Sequence, residues 1–197
     1  MAGRPREFDR GKALARARDV FWTRGYEGTS MADLTEAMGI ASASIYAAFG
    51  SKEQLFREAI ELYETGEGGF ADVAFAEEKT ARGAIARMLR SAVDIYTRPG
   101  RPRGCMVVIS ATNLSPENAA VGEWLQGHRR ARTASIVARL ARARAEGELP
   151  PDADPQALGD HLAMVLHGLA VQARDGVPRK RLLAAIEVAL NVLDCRR

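Results

Sequence analysis

The stretch TSMADLTEAMGIASASIYAAFGSKEQLF, residues 29–56, decides the fold. Thr29 or Ser30 offers a hydroxyl to cap a helix whose inner face is Met31, Leu34 and Met38, and Gly39 closes it. The turn Gly39-Ile40-Ala41 leads into a second short helix, Ser42 to Phe49, ended by Gly50. Ser51 then caps a longer helix reaching about Thr65, and Ser51 and Gln54 stand in the S-x-x-Q spacing of a capping box. Upstream, Leu14, Ala17 and Phe21 recur at helical spacing between about Arg10 and Arg24, and Gly25 ends that run. Two short helices around a glycine-containing turn, behind a basic helix, have the layout of a helix-turn-helix, whose second helix is short enough to enter a major groove.

Working outward, strand signals are scarce and good helix formers dominate, so the fold class is all-α with about nine helices. A looser, glycine-containing stretch follows Thr65. Further helices are expected at about 81–97, in the short apolar run CMVVISATNL (105–114), at 115–146, at 155–174 and at 178–194. The expected division is an N-terminal helix-turn-helix domain at 1–51 and a C-terminal helical domain at 52–197. The last two helices are apolar on more than one face, which a surface helix does not need. Leu158, Leu162, Val165, Leu169, Leu182, Ile186, Leu190 and Leu193 are therefore expected at a dimer interface; a place at the centre of the fold is the other reading.

The chain has 197 residues, 27% of them charged and 47% hydrophobic, the balance of a globular protein. No apolar run approaches a membrane span and the N-terminus lacks a signal peptide's apolar core, so the expected compartment is the cytoplasm, with no membrane partner. Two cysteines, Cys105 and Cys195, are too few for a zinc site or a disulfide framework, and no metal or cofactor is expected. Net charge is only +3, but the first 24 residues hold seven basic side chains against three acidic ones. That suits a polyanion; a solvated helix face is the alternative. There is no glycine-rich phosphate loop and no G-x-S-x-G, and three scattered histidines make no catalytic set, so no enzyme is expected.

GRPREFDRGKALARARDVFWTRGYEGTSMADLTEAMGIASASIYAAFGSKEQLFREAI (3–60) resembles the DNA-binding domain of the TetR family of transcriptional regulators. The residues that carry the resemblance are Phe21, Gly25-Tyr26, Thr29-Ser30, Leu34, Gly39, Ile45-Tyr46, Phe49, Ser51-Lys52-Glu53 and Leu55-Phe56. It implies that Thr29, Tyr46 and Lys52 contact phosphates, with Ser30 beside them, and that Ser42, Ala43, Ser44 and Ala47 face base edges. It also implies that an arm holding Arg4 and Arg6 enters the minor groove, and that the last two helices pair two subunits. The chain departs from relatives at the turn residue, Ala41, where a capping serine is common; the cap then shifts to Ser42 or is lost, at a cost of about 1 kcal/mol. Hydroxyls and methyl groups discriminate bases weakly. Affinity is then expected from phosphate contacts, those of the basic first helix included, and specificity from Arg4 and Arg6 in a narrow minor groove and from half-site spacing.

A ligand pocket in the C-terminal bundle would be apolar with a few polar anchors. Candidates are Cys105, Met106, Asn113, Trp124, His128, His161, Met164 and His167. His161 and His167 lie six residues apart, on different faces of one helix, which disfavours a metal pair. Arg129, Arg130, Arg132, Arg139, Arg142 and Arg144 read as the solvated side of a long helix; a second basic patch is the other reading. The expected function is a homodimeric repressor that binds a palindromic double-stranded operator and leaves it when a small-molecule effector binds. The alternatives are an activator with the same head, a cysteine- or metal-dependent sensor, or a helical interaction module that does not bind DNA.

Overall fold

The computed structural model describes residues 8–110 and 114–194. Among the described residues ten α-helices follow one another: α1 Arg10–Arg24, α2 Met31–Met38, α3 Ser42–Phe49, α4 Lys52–Thr65, α5 Phe70–Glu77, α6 Ala81–Tyr96, α7 Met106–Ile109, α8 Ala119–Ala145, α9 Pro155–Arg174 and α10 Arg179–Leu190. There is no strand among the described residues. The helix expected to be missing is α5: the glycines at 66, 68 and 69 read as a loop, but Glu67–Gly69 forms a single 3-10 turn that feeds directly into it.

Side-chain caps mark five of these ten helix starts. Asp9 accepts from the Lys12 amide at 3.0 Å, Ser30 from the Asp33 amide at 3.1 Å and Ser51 from the Gln54 amide at 3.0 Å. The reciprocal capping box forms at Ser30 and Asp33, where the Asp33 carboxylate also accepts from the Ser30 amide at 2.9 Å. At Ser51 only half of the expected box is present, because the Gln54 side chain folds over Gly50 instead. Gly39 adopts the left-handed conformation, φ 69° and ψ 27°, that lets α2 stop one residue before the turn.

Packing then joins head and body. α1 lies along α4, with Phe21 edge-on to Phe56 at 5.1 Å and Tyr26 tilted against Phe56 at 5.0 Å. Trp22, fully buried, meets Tyr63 edge-on at 4.7 Å and donates its indole N–H to the Gly104 carbonyl at 2.9 Å. Buried residues run without a break from Ala13 in α1 to Leu193 beyond α10. α8 packs on α9, and α6 packs against α5, α9 and α10.

The terminal helices correct the expected interface. Leu162, Leu169, Leu182, Ile186, Leu190 and Leu193 are buried within the chain, and Leu158 and Val165 are half-buried against the same core. The exposed apolar residues are Met164, Val171, Val188 and Val192, at 66%, 41%, 69% and 42% exposure. Both helices do have two apolar faces, and the leucine-rich one points inward because it offers more area to bury.

Candidate DNA-binding head and regulatory cavity

The second helix of the motif, α3, buries Ile45 and Phe49 and turns Ala43, Tyr46 and Ala47 outward, with Ser42 and Ser44 half-buried at its flanks. This is the face that the sequence assigns to base edges, and it carries one large side chain, Tyr46, at 47% exposure. No side chain caps α3: Ala41 sits in the extended conformation of a cap, φ −64° and ψ 149°, but has no hydroxyl. The Ala41 carbonyl instead takes both the Ser44 amide at 2.9 Å and the Ile45 amide at 3.1 Å, which tightens the first turn.

Lys52 opens α4 with its ammonium 4.4 Å from the centre of the Tyr26 ring. Burial lowers its pKa, against the pull of Glu27 and Asp33. Ser30 is exposed, its hydroxyl shared between the Asp33 amide and carboxylate. Asp33 is held down to about 2 by the Ser30 amide first, then the Ser30 hydroxyl and the Arg24 guanidinium, which pairs with it.

Thr29 has a structural task in the free protein. It is buried, and its hydroxyl donates to the Gly25 carbonyl at 2.6 Å, so it locks the α1–α2 turn and presents no donor outward. The basic first helix is a correction. Arg18 is buried between Asp19 and Glu67, Arg10 bonds Glu58 and the Ala48 carbonyl, Arg24 pairs with Asp33, and Arg16 donates to the Met38 carbonyl. These cations assemble the head instead of forming a free basic stripe. Arg4 and Arg6 lie outside the described residues.

In the body, a cavity of about 40 Å³ opens between the end of α4, α7, α8 and α9. It brings together three of the expected ligand residues: Cys105, His128 and His167. The others do not line it. Met106 is buried in the core, Met164 points to solvent, Trp124 packs on Phe56 and His128 beneath the Arg57 guanidinium, and Asn113 lies outside the described residues. His161 is half-buried with its Nε2 unpartnered, away from this cavity.

Sequence reading missed Tyr63, Tyr96 and Arg129, which also line it. Burial pushes both tyrosine hydroxyls well above their usual pKa, with Cys105 next to them adding to the rise. They stay protonated and able to donate. Burial lowers the pKa of His167, helped by the Arg129 charge, so its neutral form is favoured. The Arg129 error has a legible cause: half-buried Arg129 and Arg132 fall at helical spacing between the buried Leu125 and Ile136 on the inward side of α8. Arg139, on the same side, is 4% exposed and bonds Glu148 and the Lys79 carbonyl. Arg130, Arg142 and Arg144 are exposed as expected, whereas Arg129 and Arg139 were assigned to solvent on charge alone.

Comparison with known proteins agrees with both halves. Residues 13–59 match the model for bacterial regulatory proteins of the tetR family, and residues 81–186 match that for the tetracyclin repressor-like C-terminal domain. The HTH-type transcriptional repressor ComR of Escherichia coli is 33% identical over 191 residues, 96% of this chain and 91% of that protein. The HTH-type transcriptional repressor BdcR of Escherichia coli is 29% identical over 190 residues, 96% of this chain and 91% of that protein. Among solved structures, a cysteine mutant of the TetR family regulator CifR, complexed with a 26 bp double-strand operator DNA, superimposes with a TM-score of 0.92. It is 48% identical, with 96% of this chain and 98% of that one covered. Helix-turn-helix head, helical body and these matches leave one assignment: the chain belongs to the tetR family of bacterial regulatory proteins, which are DNA-binding transcriptional regulators.

Proposed function

We propose that this protein is a repressor that holds a palindromic operator as a homodimer and releases it when a small molecule fills the cavity between α4, α7, α8 and α9. The observation that carries the reading is the near-superposition on CifR, a protein seen on operator DNA. In this reading residues 1–51 form the head and 52–197 the regulatory part. Ala43, Tyr46 and Ala47 meet the major groove, while Lys52 and Tyr46 contact phosphates. Arg4 and Arg6 read a narrow minor groove. Two copies meet through the exposed face of α9 and α10, around Met164, Val171, Val188 and Val192.

Release is a population shift. α4 carries Lys52 at one end and Tyr63 and Glu64 in the cavity wall at the other, so a body conformation that suits the ligand resets the spacing of the two heads.

The test is footprinting of the full chain on the DNA upstream of its own gene, across a salt series. The expected result is palindromic protection that weakens steeply with salt, with a log–log slope of about −0.9 per phosphate contacted. Alanine at Arg4 and Arg6 should flatten sequence preference, and Val188→Asp should give a monomer in light scattering with loss of tight binding. Weak binding indifferent to sequence at every salt would refute the repressor reading, and a wild-type monomer on DNA would refute the dimer.

A further inference from the structure

The cavity holds more hydrogen-bond donors than it has acceptors for. The Tyr63 hydroxyl is buried near the Cys105 thiol and the Met106 amide, with no hydrogen-bond partner. Arg129 lines the same space, and one of its guanidinium nitrogens, Nη1, is buried with no partner. An orphaned donor in a low-dielectric site keeps its desolvation cost uncompensated, the more so when it is charged, so two in one cavity ask for an acceptor.

The neighbouring charges define that acceptor. Glu64 is turned to His128, its carboxylate 2.8 Å from Nδ1, and Asp72 is turned to Arg132 at 2.9 Å. Arg129 has no carboxylate partner among the described residues. His167, from α9, favours its neutral form. The cavity therefore carries one unmatched positive charge, with a phenol beside it, and its other guanidinium, Arg132, is already matched by Asp72 and adds no free charge to balance a dianion. The rest of its wall includes Phe70, Val107, Val108 and Leu166, which offer only hydrocarbon.

We infer that the effector is a small monocarboxylate with a short apolar tail, its carboxylate held by Arg129 and Tyr63 and its tail against Val107, Val108 and Leu166. The inference rests on the reading of this cavity as the effector site. A volume of about 40 Å³ admits the carboxylate in place of water, but a tail enters only if the apolar wall gives way. That wall belongs to α7 and α9, so the same atoms that make the ligand apolar would drive the conformational change. A carboxylate suits a guanidinium better than a hydroxyl or amide does, because a charge-assisted bond is about twice as strong as a neutral one.

The experiment is calorimetric titration of the full-length protein with butyrate and hexanoate, against butyramide and hexanamide, with operator footprinting on the same samples. The acids should bind roughly 10- to 100-fold more tightly than their amides. Arg129→Met should erase that difference, Arg129→Lys should retain part of it, and Tyr63→Phe should weaken both acids several-fold. Circular dichroism confirms folding of each variant; if Arg129→Met does not fold, Arg129→Lys and Tyr63→Phe carry the test. Equal binding of acids and amides, or no binding of either, would overturn the monocarboxylate inference. Tight acid binding with the operator still occupied would leave the cavity chemistry standing and sink the effector reading on which it rests.

Discussion

Ala41→Ser tests how the recognition helix is held. The helices around it, α1, α2 and α4, each begin with a side-chain cap on the third amide, at 3.0–3.1 Å from Asp9, Ser30 or Ser51. α3 alone among them has none, although Ala41 already has the backbone conformation of a cap. A serine there needs no backbone change to place its hydroxyl over the Ala43 and Ser44 amides. A full cap is worth about 1 kcal/mol. Part of that is already secured, because the Ser44 amide donates to the Ala41 carbonyl at 2.9 Å. The expected gain is therefore about 0.5–1 kcal/mol. Since α1–α4 share one continuous core with the body, that gain should appear in the main unfolding transition, as a rise of roughly 1–4 °C for a chain of this size. Ser30→Ala, which breaks the capping box on α2, is the control and should cost about 1 kcal/mol. The measurement is thermal unfolding by calorimetry and circular dichroism. If Ser30→Ala lowers the midpoint while Ala41→Ser leaves it unmoved, the tightened first turn has already satisfied the amides, and α3 lacks nothing that a hydroxyl could supply.

Tyr63→Phe removes a buried hydroxyl that has no partner, so the ligand-free variant should be as stable as the parent or more so, by up to about 1 kcal/mol; a clear loss in urea unfolding would mean the hydroxyl is bonded. Asp33 titrates near 2 in the folded chain against 3.8 ordinarily, so its contribution is complete above about pH 4 and is lost as pH falls toward 2. Asp33→Asn should therefore narrow the stability gap between pH 5 and pH 2, and an unchanged gap in acid unfolding would contradict the capping box. Trp22→Phe deletes the indole N–H that meets Gly104, leaving a buried carbonyl unpaired, and should cost about 1–3 kcal/mol by denaturant titration. Arg139→Met leaves Glu148 without its guanidinium and should cost about 1–3 kcal/mol, the lower end reflecting the partial exposure of Glu148; a neutral result would show that water replaces the pair.

The helices were legible because capping and stopping are local chemistry. Ser30, Ser51, Gly25, Gly39 and Gly50 each act on a neighbouring turn, and the bounds of α1–α4 follow from them. α5 escaped because its glycine-rich lead breaks no helix once the Glu67–Gly69 turn feeds it. The errors of direction share another cause. Periodicity says that α9 and α10 have two apolar faces but not which of them the rest of the chain covers. It says equally little about where a charge on a buried stripe finds its partner. Arg18, Arg129 and Arg139 were assigned outward on residue type, and Glu67, the cavity and Glu148 decide otherwise. Cys105, His128 and His167, named from their residue types, do line the cavity. Tyr63 and Tyr96 were missed because an aromatic at helical spacing reads first as core, and these two are both core and cavity wall.

Three separate elements join that cavity to the head, and each has an atom in both. α4 runs from Lys52 beside Tyr26 to Tyr63 in the cavity wall, a rise of roughly 16 Å at 1.5 Å per residue. The segment before α7 offers the Gly104 carbonyl to Trp22 of α1, one residue before Cys105 enters the wall. The start of α8 is tied to Glu27, through Asn118 at 2.8 Å, ten residues before His128. A ligand that moved only one of these would be resisted by the other two, because close-packed interiors transmit strain and do not stretch. The heads should therefore move as one body with the cavity wall, between discrete arrangements. A ligand shifts that balance only by the difference in its affinity for the two, so a molecule that fits the 40 Å³ space as it stands would bind and release nothing. The effector has to be larger than the space it enters, and the tail that forces α7 and α9 apart is the part of it that reaches the DNA.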